Sequence, residues 1–205
     1  MPPPLALTCS AVLAYLIGGL PFGYWFVRLS YGRDIRTVGS GNIGATNVHR
    51  SAGGKAGLIV LLLDICKGFV AVWLAAVISR HDPRALALSA FFVMLGHCYP
   101  VFLHFRGGKA VACYVGAFLY IVPVALAVTA VAFIAVAALT RYISLASLIG
   151  VLVFPLAAWQ IARSPQPILV ASIAAALLII FRDQANLARL RAGTEHRFSW
   201  RGGKM

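Results

Sequence analysis

The segment VACYVGAFLYIVPVALAVTAVAFIAVAAL, residues 111–139, contains no charged side chain and one proline, Pro123. About 20 apolar residues cross a bilayer core, so this stretch is long for one span. Proline removes a helix hydrogen bond and tends to break the element there. Read as a single span, the segment places its two flanks on opposite membrane faces. Read as Val111–Val122 followed by Val124–Leu139, it returns them to the same face.

Five further apolar runs surround it: Leu5–Leu29, Leu58–Ser79, Ala85–Phe105, Ile143–Ile161 and Ile168–Phe181. Two helices at Pro123 make seven spans. The loops at 28–55, 104–109 and 140–144 and the tail from Arg182 then share one face. Fourteen of the 18 Lys and Arg fall there; only Arg80, Arg84 and Arg163 lie opposite, and Lys67 is inside a span. The positive-inside rule makes the crowded face cytoplasmic and puts the N-terminus outside. Val111–Val122 is short for a full crossing and is expected to be tilted, partial or sheltered by protein. The expectation is an all-α integral membrane protein of about seven transmembrane helices, N-terminus outside and C-terminus cytoplasmic. Residues 1–205 read as one polytopic domain, with 182–205 a basic cytoplasmic tail.

Composition agrees. The 205 residues are 61% hydrophobic and 11% charged, with mean hydropathy +0.88, against about a quarter charged in soluble domains. No length remains for a separate soluble domain. The first run has no basic residue before it and reads as a retained span rather than a signal peptide. The net charge of +13 sits beside apolar spans rather than on a soluble face. It points to anionic lipid or an anionic substrate, not to nucleic acid. Cys9, Cys66, Cys98 and Cys113 have neither disulfide nor metal-site spacing.

Polar residues cluster in a few places. Gly39-Ser40-Gly41-Asn42-Ile43-Gly44-Ala45-Thr46-Asn47-Val48-His49-Arg50 contains GxGxxG, with Asp64 downstream, but a membrane span follows where a dinucleotide fold requires a βαβ unit. The local physics remains. Glycines let backbone N–H groups approach a phosphate, Ser40, Asn42, Thr46 and Asn47 add hydrogen-bonding groups, and Arg50 adds a bidentate cation. A loop whose polar groups satisfy one another fits the same spacing. His97 lies inside a span, and Lys109 follows the pair Gly107-Gly108. Lys109 can serve as a phosphate point charge or snorkel to headgroups; His97 can be a base or a structural hydrogen-bonding group. Asp64 and Lys67, three apart, can pair on one helix face and brace the site. Ser144 at a span boundary can donate to a substrate or cap its helix. Asn186 and Arg189 share a helical face.

Together, Gly39–Arg50, Asp64–Gly68, Gly96–Lys109, Arg141–Ser147 and Asn186–Glu195 resemble, in order, the bacterial acyl-phosphate:glycerol-3-phosphate acyltransferase (PlsY) family. The resemblance implies a seven-helix inner-membrane enzyme of phospholipid synthesis, active on the cytoplasmic face. It moves a fatty acyl group from acyl phosphate to the 1-hydroxyl of glycerol 3-phosphate, releasing lysophosphatidic acid and phosphate. The sequence carries no sign of a metal, and no cofactor is expected. The family's motifs suggest Lys109, His97 and Ser40 as catalytic candidates, and Ser40, Asn42, Thr46, Asn47, Arg50, Lys109, Ser144, Asn186 and Glu195 as substrate contacts. This chain departs from the pattern at Asp183, where the family usually has histidine, at Ala185 (glutamate), at Ala110 (glycine) and at Cys113 (threonine). No Ser/His/Asp triad is visible, so the hydroxyl proton is expected to go to a substrate phosphate, with His97 the second choice. A transporter of a phosphorylated metabolite is the competing class, but it needs polar residues reaching both faces, whereas here they gather on one.

Overall fold

The computed structural model describes residues 2–198; Arg201 and Lys204, counted above in the basic tail, lie outside the described residues. No strand occurs among the described residues. The expected first span is two helices, α1 (Pro3–Gly19) and α2 (Phe22–Tyr31), interrupted at Leu20-Pro21. Leu20 is pushed to an extended backbone (φ −62°, ψ 115°) because the proline ring disfavours helical geometry in the residue before it. A short α3 (Ala45–Ala52) leads into α4 (Gly54–Ser79), α5 (Pro83–Cys98), α6 (Val111–Ile121), α7 (Pro123–Thr140), α8 (Ile143–Gln160), α9 (Gln166–Arg182) and α10 (Gln184–Arg191).

The expected break at Pro123 is present, with Val122 out of helical geometry (φ −142°, ψ 66°). Among the described residues, five segments are long and apolar enough to cross a membrane: Pro3–Tyr31, Gly54–Ser79, Pro83–Leu103, Pro123–Thr140 and Ile143–Gln160. A sixth is formed if α9 and α10, bent by 60°, count as one. At 11 residues, α6 is only about 16 Å long. It is sheltered by α4 and α5, and buries Tyr114 and Phe118 against Phe154 of α8 with ring centroids 5.3 and 4.5 Å apart.

Lipid offers no hydrophobic gain for helix association, so close backbone approach between small residues has to hold the helices together. Two reciprocal glycine pairs provide it. A Cβ on Gly18 of α1 would stand 2.0 Å from Val93 O of α5, and one on Gly96 of α5 would stand 2.0 Å from Tyr15 O of α1. Gly68 of α4 meets Cys113 O of α6 at 2.3 Å in the same sense, and Gly116 of α6 meets Ile65 O of α4 at 1.9 Å. A second, smaller apolar cluster of Val27, Ile35, Ile43, Val48, Ala56, Val60 and Leu103 lies under the loop joining α2 to α3.

Candidate active site

That loop is tied by one side chain. Asn47 Oδ1 accepts from Ser40 N at 2.9 Å, while its amide donates to Val38 O (2.9 Å), Asn42 O (2.8 Å) and Ile35 O (3.4 Å). Gly39 is left-handed (φ 60°), and a Cβ there would meet Asn47 Oδ1 at 2.3 Å. Asn42 Oδ1 accepts from Gly44 N at 2.8 Å, so its side chain shapes the turn into α3. Ser40 and Thr46 remain exposed. Upstream, hydrogen bonding by Arg36 holds the Asp34 carboxyl below the usual carboxylate range.

The chain after α5 folds back onto the end of that helix. Gly107 N donates to Cys98 O (3.2 Å) and Gly108 N to His97 O (2.9 Å), satisfying carbonyls that a helix end leaves open. A side chain on Gly107 would meet His97 O at 2.1 Å, and one on Gly108 would meet His97 Nε2 at 2.1 Å. From α9, Arg182 donates to the carbonyls of both glycines at 3.1 Å and lies over the Tyr99 ring. This clamp delivers Lys109 to the junction of α9 and α10.

There a ring of charges closes. Lys109 donates to the Asp183 carboxylate and to Asn186 Oδ1, and Arg189 donates to the same Oδ1. Gly193, left-handed at φ 68°, ends α10 and turns the chain back. Glu195 thereby accepts from Arg189 Nε at 2.8 Å and from Asn186 Nδ2 at 3.4 Å. Arg50 of α3 stands 3.9 Å from Glu195 Oε1. The cations face outward: the side chains of Lys109, Arg50 and Arg189 are 24%, 27% and 31% exposed, while those of Asp183 and Glu195 are 3% and 1% exposed. Burial lowers the pKa of Lys109 below the usual lysine value, with Asp183 opposing that fall, and burial likewise lowers Arg50.

The first turn of α8 meets the tail, where Phe198 N donates to Arg141 O at 2.7 Å and the Phe198 ring stacks on His49. Ser144 in that turn is buried, and its hydroxyl has no hydrogen-bond partner among the described residues. No side chain caps α8, so Ser144 is not serving as the N-cap.

Deeper, the Lys67 ammonium pairs with Asp64 at 2.8 Å and donates to Leu20 O (2.8 Å), a carbonyl at the proline break, and to His97 Nδ1 (2.9 Å). The spacing of Asp64 and Lys67 had predicted the pair. An ammonium only donates, so Nδ1 accepts and the imidazole proton sits on Nε2, against Gly108. Ligand atoms of Asp64, His97 and Cys113 come within 4.8 Å of one another, a grouping that could hold a cation although the cysteine spacing had pointed to no metal site. Lys67 already supplies the positive charge between the aspartate and the histidine.

This geometry has close relatives. The glycerol-3-phosphate acyltransferase family model matches residues 8–193. The chain belongs to the glycerol-3-phosphate acyltransferase family. The enzyme named for that activity in Agrobacterium fabrum is 38% identical over 199 residues, covering 97% of this chain and 95% of the relative. That of Geobacter sulfurreducens is 43% identical over 189 residues, covering 91% and 94%. The crystal structure of PlsY, an integral membrane glycerol 3-phosphate acyltransferase, in its glycerol 3-phosphate form superposes with a TM-score of 0.88 at 36% identity, over 94% of this chain and 96% of that one. Its lysophosphatidic acid form gives 0.86 at 34%, over 95% and 96%. The acyltransferase family thus carries both the fold and the membrane setting.

Of the sequence-predicted residues, Arg50, Lys109, Asn186 and Glu195 are joined in the ring. Asn47 and Asn42 are spent on building the loop that bears Ser40 and Thr46. Ser144 makes no bond to the ring, and His97 lies behind the glycine pair. Sequence reasoning gave Arg182 no role, placed Arg189 only on one helical face with Asn186, and noted Asp183 only as a departure from the family's usual histidine. The three-residue spacing of Asp183, Asn186 and Arg189 was the available signal, since it places all three on one helical face.

Proposed function

We propose that this acyltransferase uses acyl phosphate as donor and the 1-hydroxyl of glycerol 3-phosphate as acceptor, giving lysophosphatidic acid and inorganic phosphate at the cytoplasmic face of a bacterial inner membrane. The observation that carries the reading is the ring itself, with Lys109, Arg50 and Arg189 partly open to solvent and both carboxylates buried behind them. Such a rim attracts a dianion while keeping its own counter-charges out of contact with solvent.

An acyl phosphate is an activated mixed anhydride, so no cofactor or acyl-enzyme is needed. The glycerol hydroxyl oxygen attacks the acyl carbonyl carbon, the bond from that carbon to the phosphate oxygen breaks, and phosphate departs with the electron pair. Lys109 and Arg50 offset the charge that develops on the departing phosphate. The Ser40, Thr46 and Ser144 hydroxyls and the loop amides orient the reactants. The hydroxyl proton passes to a substrate phosphate oxygen; His97, whose acceptor nitrogen is occupied by Lys67, braces the Gly107-Gly108 turn.

Seven crossings with the N-terminus outside accord with this reading. The loops before α3, before α6 and before α8 and the segment after α9 meet one another through Arg50, Lys109, Arg141 and Phe198, as they would on one membrane face. With α6 a short sheltered crossing, the count is seven. The test is to incubate purified protein with acyl phosphate and labelled glycerol 3-phosphate. Lysophosphatidic acid and phosphate should form in equal amounts, and Lys109→Ala should lower the rate by about 10²–10³. Undiminished product from a folded Lys109→Ala variant would remove Lys109 from the chemistry.

A further inference from the structure

We propose that Asp183 sets this site's affinity for phosphate by serving as the built-in counter-ion of Lys109, giving up binding strength in exchange for faster release of phosphate-bearing products. The proposal rests on the reading of Lys109 as the phosphate-binding cation.

Asp183 sits at the bend between α9 and α10 and is 2% exposed. Its carboxylate is the one anionic group in contact with Lys109 among the described residues. The lysine does not depend on it for position. Asn186 also holds the ammonium, and Arg182 clamps the backbone just before it. Glu195 differs: both its oxygens are taken, by Arg189 and Asn186, and Arg50 stands nearby. Asp183 is therefore the ring member whose charge can compete with a ligand without dismantling the ring.

A phosphate accepting from Lys109 must share that ammonium with the Asp183 carboxylate, which brings like charges close in a partly desolvated site and weakens binding. As the phosphate leaves, the carboxylate reclaims the ammonium, so departure never bares an unpaired buried cation. Both products of the proposed reaction carry phosphate, and fast release matters wherever release limits turnover. Asp183 touches Lys109 rather than substrate and so acts through the charge of the lysine.

The test compares full-length wild type, Asp183→Asn and Lys109→Ala in detergent, using inorganic phosphate as inhibitor and probe together with glycerol 3-phosphate. Asp183→Asn should bind inorganic phosphate about tenfold more tightly, lower KM for glycerol 3-phosphate and lower kcat. The charged groups facing Lys109 are Asp183 at the α9–α10 bend, Arg189 of α10 and Glu195 of the following segment. Removing the first also removes a pull that keeps Lys109 protonated, so the alkaline limb of activity should move to lower pH. Asp183→Ser, which lacks the charge and the amide, should behave in the same way. Unchanged or weaker phosphate binding in either folded variant overturns the proposal. If Lys109→Ala binds phosphate as well as wild type, the reading of Lys109 fails as well. If only Lys109→Ala loses binding while the Asp183 variants do not gain it, the counter-ion role alone fails.

Discussion

Among the described residues, two ionic networks are built from similar parts, one deep and one at the rim. In the deep one, Asp64, Lys67 and His97 are 2–4% exposed at their side chains, and Lys67 meets a carboxylate, a carbonyl and an imidazole nitrogen. In the rim network the carboxylates are equally buried, yet the cations are a quarter to a third open. Charge alone does not distinguish a brace from a binding site. The side of each ion pair that faces solvent does. In the deep network the Lys67 ammonium is engaged on three sides inside the protein, whereas the rim cations keep part of their surface open to solvent.

Substitutions should separate the two. The largest loss of folded protein is expected from Lys67→Met, which leaves the Asp64 carboxylate buried without its partner. Breaking such a pair costs about 3–5 kcal/mol, read as a fall in Tm in detergent, and adding Asp64→Asn should recover most of it. Lys109→Ala combined with Asp183→Asn should behave in the opposite way: turnover collapses while Tm moves little, because the lysine is partly solvated and the second change removes the buried carboxylate that would otherwise lose its partner. A Tm loss for that double variant as large as that for Lys67→Met would make the rim a brace too.

A smaller effect should appear in the pH profile. On the proposed role of Lys109 its protonated form is the active one, and burial lowers its pKa from the usual 10.5. Activity should therefore fall as pH rises, with the fall beginning below that of an ordinary lysine. An alkaline limb at or above the ordinary lysine value would place Lys109 in water rather than in the ring. The smallest effect concerns the residue beside it. Ala110 is left-handed, with φ 63°, a conformation that costs an L-residue about 1–2 kcal/mol. Ala110→Gly should stabilise the protein by about 1 kcal/mol, seen as a modest rise in Tm. No rise would mean the strain is relieved elsewhere in the turn.

Much of this was legible because it is local. Asp64 and Lys67 lie on one turn of α4, and Pro123 announces its own break. Of the rim residues, Arg50 and Lys109 stood out as cations beside glycine-rich turns, whereas Asn186 and Glu195 were assigned as substrate contacts only through the family pattern. Other features depended on partners distant in sequence. Nothing near Lys109 says that Asp183, 74 residues on, will pair with it. Nothing near His97 says that Lys67 will occupy its acceptor nitrogen. Asn47 suits a phosphate contact as well as a loop tie, since the side chain is identical in both roles, and only the geometry assigns it to the loop. The backbone angle at Ala110 has no signature in its side chain, although its departure from a family glycine pointed to the place.

The ring around Lys109 has one more consequence, for the order in which the chain is made. Its members come from α3, from the turn after α5, from the start of α10 and from Glu195, so the last arrives only after α1 to α9 have been synthesised. A chain that ended just before Asp183 would contain every apolar helix and two of the three ring cations, with neither carboxylate to organise them. Quality control that senses only membrane integration would accept such a product as finished, although it would be enzymatically silent.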